Sequence, residues 1–509
     1  MPLPQQSSSR TNRVFWGLVS NFAQYFIITA LQFLLAPLIL KYAGKETLGA
    51  YSVVMQIVAW GSLSDLGFGV SVARNLAQAH GLKDGHKKFR EVFSTGKAFY
   101  IISNIVFAVF IWLFAFNINK FMEMQPYVAE QAKIALGMYG LWVAVRIAIA
   151  MYGYALVATQ NMALKNISVT TGSILRLVLS LAFIINGFGL PGLVLANILA
   201  EICMECLDMW LYKRLYPADK FKFSIKNKSA FREMFIFGSH CMLLTIATKL
   251  MLSTDNIIVG NLYGASAVSV YYVTVMPGSV LYQLVRKISE TSMPALNEVY
   301  AAGNRGKFTE AYFAIMRYSL ILTIPLMLGL IIFNKHLIAL WVGPEQYGGL
   351  ALTVGLAFFA FSQVLNQLNS TILIATGDVS NMSRFALLSG LIKVFLAYAA
   401  GRYGLWVIMW SSVAVDMCFL AYFSRHILKI LSATAEKVYS TVATPALKLS
   451  AAMSGMAAIT AVVLPSKASW SSFFACAGLF CTVAVIAAWF LAITPDERSG
   501  IKGYVRKYV

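Results

Sequence analysis

Tyr42-Ala43-Gly44-Lys45-Glu46-Thr47-Leu48-Gly49-Ala50-Tyr51 has a counterpart in Leu262-Tyr263-Gly264-Ala265-Ser266-Ala267-Val268-Ser269-Val270-Tyr271. The offset is about 220 residues, long enough to hold a bundle rather than a solenoid repeat. Each copy is a short turn between two apolar stretches, and each second stretch runs on into a basic connection. Farther along, Ala158-Thr159-Gln160-Asn161 ahead of Arg176 aligns with Ala375-Thr376-Gly377-Asp378 ahead of Lys393. The chain therefore reads as two related halves, 14–220 and 228–430, each built from the same succession of apolar stretches.

Those stretches are about 20 residues long, the length a helix needs to cross a hydrocarbon core. Of the 509 residues, 59% are hydrophobic and 12% are charged. A helix satisfies its own backbone where no water can, so the stretches read as spanning helices and a soluble globular protein is excluded. About fourteen spans are expected: two pseudo-symmetric six-helix lobes and a further helix pair over 447–492. The fold class is an all-α membrane protein.

An even number of spans puts both ends on one side. Most of the 41 Lys and Arg residues fall in one set of connections and in the two tails, 1–13 and 493–509, which assigns that side to the cytoplasm. The net charge of +20 then reflects topology and attraction to anionic lipids, and calls for no nucleic acid. The N-terminal segment has no apolar run ending in a cleavage site, so it reads as a tail rather than a signal peptide. On the far side the connections are short, the longest lying between Asn117 and Lys133. This argues against a glycan polymerase or ligase, which needs larger external loops. All six cysteines lie in apolar stretches, and Cys203-Met204-Glu205-Cys206 reads as part of a spanning helix rather than a metal or redox pair. No phosphate-binding Gly-x-x-x-x-Gly-Lys-Ser/Thr run and no metal-type cluster occurs, so neither cofactor nor metal is expected.

The segment from Asn21 through Pro37-Leu38-Ile39-Leu40-Lys41-Tyr42-Ala43-Gly44 to Tyr51, followed by Ser64-Asp65-Leu66-Gly67-Phe68-Gly69 and Arg74-Asn75, resembles the start of the polysaccharide-transporter branch of the multidrug/oligosaccharidyl-lipid/polysaccharide exporter superfamily. The resemblance covers most of 12–430. It implies two six-helix lobes around a V-shaped cavity, no enzymatic activity, and a bacterial inner-membrane location. Its closest implication is a Wzx-type flippase for O-antigen, capsule or exopolysaccharide synthesis. Such a protein moves a polyprenyl-pyrophosphate-linked oligosaccharide to the outer leaflet by alternating access, alongside a polysaccharide polymerase and chain-length proteins. A lipid II-type flippase and an ion-coupled small-molecule exporter are the alternatives. The first span carries no acid, unlike many drug/cation exchangers of the superfamily. Energy would come from an H+ or Na+ gradient or from metabolic pull.

Ionisable groups at membrane depth are costly, which makes each a functional candidate. Arg176 and Glu201 lie about equally far from the turn near Phe188, and Lys393 and Asp416 occupy similar places in the second half. Each pair reads either as a structural ion pair or as a substrate contact. Glu201, Glu205 and Asp208 share a helix face by their spacing, giving more acid than Arg176 neutralises. Arg146, Lys249 and Arg286 have no partner that spacing makes obvious, and fixed positive charge is what a pyrophosphate headgroup requires. The candidate substrate-binding residues are thus Lys249, Arg286, Arg146, Arg176 and Lys393. Asp65, Glu201, Asp255 and Asp416 are the candidates for gating or coupling, Asp65 with Arg286 as a latch. Polar rows at Asn21, Gln24 and Gln32, and at Gln363, Asn366, Gln367 and Ser370, suit either sugar hydroxyls or helix-to-helix bonds.

Overall fold

The computed structural model describes residues 10–63, 68–80, 85–146, 149–217, 242–376, 378–431, 434–464, 469–493 and 497–498. Every long element among them is helical. In chain order they are α1 (Arg10–Ala59), α2 (Phe68–His80), α3 (Gly85–Phe116), the single turn α4 (Ile118–Phe121), α5 (Pro126–Val145), α6 (Ala150–Ala158), α7 (Met162–Ile185) and α8 (Gly189–Leu215). There follow α9 (242–252), α10 (Asp255–Ala301), α11 (Arg305–Trp341), α12 (Leu350–Thr376), α13 (Val379–Ala400), α14 (Leu405–Ile430), the short α15 (Ala435–Val438), α16 (Thr444–Val463) and α17 (Trp470–Leu491).

Eleven helices are long and apolar enough to cross a membrane, or twelve if α5 and α6, bent by 60° at their junction, make one span. The sequence leads to about fourteen because it divides 14–72 and 233–291 into two spans each. In the structure no loop separates the helices on the two sides of Gly44 within Ser20–Ala59, or of Gly264 within Met242–Lys287, so each stretch counts as a single candidate. At 1.5 Å per residue, the 40 residues of Ser20–Ala59 make about 60 Å, roughly twice a hydrocarbon core.

The join in each case is one glycine. Gly44 has φ 85° and ψ 171°, and Gly264 has φ 76° and ψ 174°. An L side chain rarely adopts this conformation, so glycine alone turns the chain there without a loop. Tyr51 and Tyr271, seven residues beyond each glycine, are both buried. The second repeated motif also folds alike in its two copies. Thr159 Oγ1 donates to the carbonyls of Ala155 and Leu156, and Thr376 Oγ1 to those of Ile372 and Leu373. The Asn161 and Asp378 amides close the same turns, onto the Leu156 and Leu373 carbonyls at 2.9 Å each.

The chain forms two compact units, Met1–Ser269 and Val270–Val509. In the first, α7 and α8 are a hairpin, α1 packs along α7, and α5 lies between α3 and α8. The Asn117–Lys133 connection is no open loop: it holds α4 and the first turns of α5. Its carbonyls at Phe121 and Glu123 accept from Asn261 Nδ2 and the Ala265 amide, at 3.0 Å each, and Glu46 Oε1 accepts from the Gln125 amide. Gly49 lies directly against this corner, where a Cβ would fall 1.8 Å from the Ala265 carbonyl oxygen.

In the second unit α12 packs against α11 and α14, and α13 against α14. The last pair, α16 and α17, docks along α11, with the Phe333 ring edge-on to Phe473 and Phe480. Leu479, Val485, Ile486 and Phe490 on α17 stay exposed, as expected of a helix facing lipid rather than water.

Candidate functional site

In the first unit Arg146, Glu201 and Glu205 come together at the end of α5. Helix α5 ends at Arg146, whose Nε donates to Glu205 Oε1 at 2.5 Å and whose Nη1 lies 3.6 Å from Glu201 Oε2. Trp142 Nε1, one turn back, donates to Glu201 Oε2 at 2.8 Å, and Asn197 Nδ2 donates to Glu201 Oε1 at 2.9 Å. Asn104 Nδ2 on α3 donates to the Arg146 carbonyl at 3.1 Å. One turn along α8, Asp208 Oδ2 accepts from Lys165 Nζ at 2.5 Å. Glu205 and Asp208 are 2% and 0% exposed, so both are carboxylates that could not stay in so dry a place without these cations.

This corrects the pairing drawn from spacing. Glu201 is held by Arg146, not Arg176, because the acidic face of α8 turns toward α5 and the start of α7. Arg146, expected to lack a partner, has two. Arg176 is half-buried on α7 and lies near enough to the buried Tyr51 phenol to interact with it electrostatically. Lys165, Trp142 and Asn104 were not among the sequence candidates. The run Glu201, Glu205, Asp208 called for more than one cation, yet nothing in sequence spacing ties α8 to position 146 or 165.

The second unit repeats the arrangement with different chemistry. Asp416 on α14 is 2% exposed and faces α12. Its carboxylate accepts from the Ser362 hydroxyl, from Gln363 Nε2 at 3.1 Å and from Asn366 Nδ2 at 2.8 Å. No ion pair joins it to Lys393, which is itself fully buried and engaged elsewhere. Trp142 and Arg146 on α5 thus have counterparts about 220 residues on in Ser362 and Asn366, in keeping with the repeat. Where the first unit places a guanidinium, the second places only neutral donors. The row Gln363, Asn366 is accordingly a helix-to-helix clamp. Near one end of the same helices, Asp378 Oδ2 pairs with His426 Nε2 at 2.7 Å.

Lys249 is on α9, four residues before Ser253, where helical geometry stops through Thr254. At the break the Ser253 carbonyl accepts from Trp60 Nε1 at 2.9 Å, and Thr254 Oγ1 caps the Leu250 carbonyl. Interrupted helix at membrane depth is tolerated only where it is buried in protein or lines a cavity. Among the described residues the half-buried Lys249 ammonium has neither hydrogen bond nor ion pair. Asp255 opens α10 in its first turn. Arg286, farther along α10, is half-buried and makes side-chain interactions of its own. Asp65 lies outside the described residues.

The fold matches solved transporters over nearly the whole chain. The structure of the lipid II flippase MurJ in an inward closed conformation aligns with 93% of this chain and 98% of its own at a TM-score of 0.71 and 15% identity. An inward-facing multidrug resistance MATE family transporter of the MOP superfamily aligns with 82% of this chain and 99% of its own, at a TM-score of 0.64 and 15% identity. The chain thus has the all-α, multi-pass membrane fold of these solved transporters. Within that class the chain belongs to the polysaccharide biosynthesis protein family, whose model matches residues 45–351. A Shigella flexneri protein described as "Putative O-antigen transporter" is 21% identical over 253 residues, half of this chain and 59% of the relative's length.

Proposed function

We propose that this transporter carries a polyprenyl-pyrophosphate-linked oligosaccharide from the cytoplasmic to the outer leaflet by alternating access, for O-antigen, capsule or exopolysaccharide synthesis. Both termini are then cytoplasmic. Helix α1, and α9 together with α10, each cross the membrane twice about their glycine turns, which with α5 and α6 as one span gives fourteen. The observation that supports the reading is Lys249, an ammonium in an apolar span with no partner among the described residues, beside an interrupted helix. Such a group is costly to keep unless an anion meets it during the cycle, and a pyrophosphate is an anion of the right kind.

Deletion of the gene should accumulate the lipid-linked glycan on the cytoplasmic face and deplete the surface polymer. No accumulation, with surface glycan unchanged, removes the reading. Lys249→Gln, at normal protein level, should lower glycan transport by about tenfold or more, a loss of roughly 1.4 kcal/mol in handling the headgroup. Lys249→Arg should keep most of it. Full transport by Lys249→Gln would leave the lysine without this role.

The same reading assigns coupling to Asp416. It has three neutral donors and, among the described residues, no ion-pair partner, whereas its counterpart Glu201 has Arg146. An exchangeable H+ or Na+ would supply the missing charge. In proteoliposomes, Asp416→Asn should keep the fold, since an amide still accepts from Ser362, and should abolish any dependence of transport on an ion gradient. Unaltered gradient dependence in that variant would exclude Asp416 as the coupling group.

A further inference from the structure

One end of the first unit gathers positive charge over aromatic rings. Lys97 Nζ on α3 sits 5.2 Å from the centre of the Phe93 ring and 5.6 Å from that of Tyr152. Lys213 Nζ, from the last turn of α8, sits 5.7 Å from the same Tyr152 ring. The two nitrogens are therefore within about 11 Å of each other, and their charges repel. Tyr152 is buried and wedged between Phe93 and Tyr212, at ring separations of 5.2 and 5.8 Å. The acids nearest along α8, Glu205 and Asp208, are taken by Arg146 and Lys165. Among the described residues neither Lys97 nor Lys213 has an ion-pair partner.

The depth of this pair fits a headgroup. Lys97 lies 19 residues before Phe116 at the other end of α3, about 28 Å along the axis, close to the full thickness of a hydrocarbon core. On α8, Trp210, Lys213 and Arg214 share one face by their spacing. Trp210 is 53% exposed and Arg214 stacks on it at 5.2 Å. An exposed tryptophan flanked by cations at a span end marks the lipid interface, so Lys213 opens toward lipid.

We propose that Lys97 and Lys213, held over the Tyr152 ring, form a binding site for the phosphodiester of an anionic membrane lipid. Two cations fixed by a buried ring meet one phosphate without the rotamer cost of free surface lysines, and the bound anion relieves their mutual repulsion. The site draws on the membrane-spanning fold alone and does not depend on the cargo.

The test compares full-length protein in nanodiscs of phosphatidylcholine alone and of phosphatidylcholine with phosphatidylglycerol. Readouts are the unfolding temperature and the phosphatidylglycerol retained through native mass spectrometry. Wild-type protein should unfold at a higher temperature with phosphatidylglycerol and retain it. Lys97→Gln with Lys213→Gln should lose at least half of both effects. Lys213→Gln alone, at an exposed position that cannot disturb packing, should lose a clear part. Lys87→Gln with Lys88→Gln, on the exposed start of α3, should lose neither. Equal loss in that control would mean diffuse surface charge and overturn the proposal, as would full retention in both Lys213 variants. An equal rise in unfolding temperature from inorganic phosphate in phosphatidylcholine nanodiscs would overturn the assignment to a lipid.

Discussion

Arg146→Met is expected to lose most of its folded, monodisperse protein, with thermal unfolding shifted far below that of the wild type. The guanidinium serves two carboxylates, Glu205 at 2.5 Å and Glu201 at 3.6 Å, and Glu205 is almost wholly shielded from solvent. Removing one partner of a buried ion pair costs about 3–5 kcal/mol, because the remaining charge has neither water nor a counterion. Arg146→Lys should fall between, since a point charge reaches one acid well but cannot bridge both as a planar fork does. The decisive comparison is Arg146→Met with Glu201→Gln and Glu205→Gln, which removes the cation and both charges. That triple variant should recover most of the lost stability. A single Arg146→Met protein that melts with the wild type would show the network to be dispensable.

Gly49→Ala should be nearly as damaging. The added Cβ would fall 1.8 Å from the Ala265 carbonyl oxygen, 2.7 Å from its carbon and 3.3 Å from its Cα, all backbone atoms that no rotamer change can move. Overpacking commonly costs about 1–3 kcal/mol, and a clash with backbone belongs at or above the top of that range. Gly137→Ala and Gly455→Ala are the controls: nothing lies within 4 Å of a Cβ at either site. Both glycines are helical, so alanine should leave stability unchanged or raise it by up to about 1 kcal/mol. Thermal unfolding of the three purified variants decides the matter. Equal melting of Gly49→Ala and Gly137→Ala would mean that α1 and the segment after Gly264 do not approach as closely as described.

Much of this molecule was legible in the sequence because membranes impose few solutions. Apolar length reveals spans, and the repeat of Gly44 at Gly264 located two turns whose backbone conformations agree within about ten degrees. What the sequence did not reveal is how helices rotate about their axes. Arg176 and Glu201 stand level on one hairpin, and level cations and acids look like partners. The acidic face of α8 instead points to α5, a helix separated from it by α6 and α7 in the chain. The same gap misassigned Asp416, whose partners sit on α12 rather than on α13 beside Lys393. Eleven or twelve uninterrupted candidates answer to the fourteen expected spans because a turn made by one glycine leaves no loop to separate the helices on its two sides. Lys249 was recognisable as a cation in an apolar stretch, but the interrupted helix beside it left no Pro or Gly in Ser253-Thr254-Asp255 to announce it.

The seam between α11 and the last helix pair has a practical use. Cys476 and Cys481 are free thiols on α17, Cys481 exposed, and neither lies near Arg146, Asp416 or Lys249 in the chain. A helix attached along one neighbour goes where that neighbour goes, as an outrigger follows its hull. With the other cysteines replaced, a spin label or fluorophore at Cys481 would ride on α11 and report its displacement through a working cycle, leaving every polar cluster of the interior untouched.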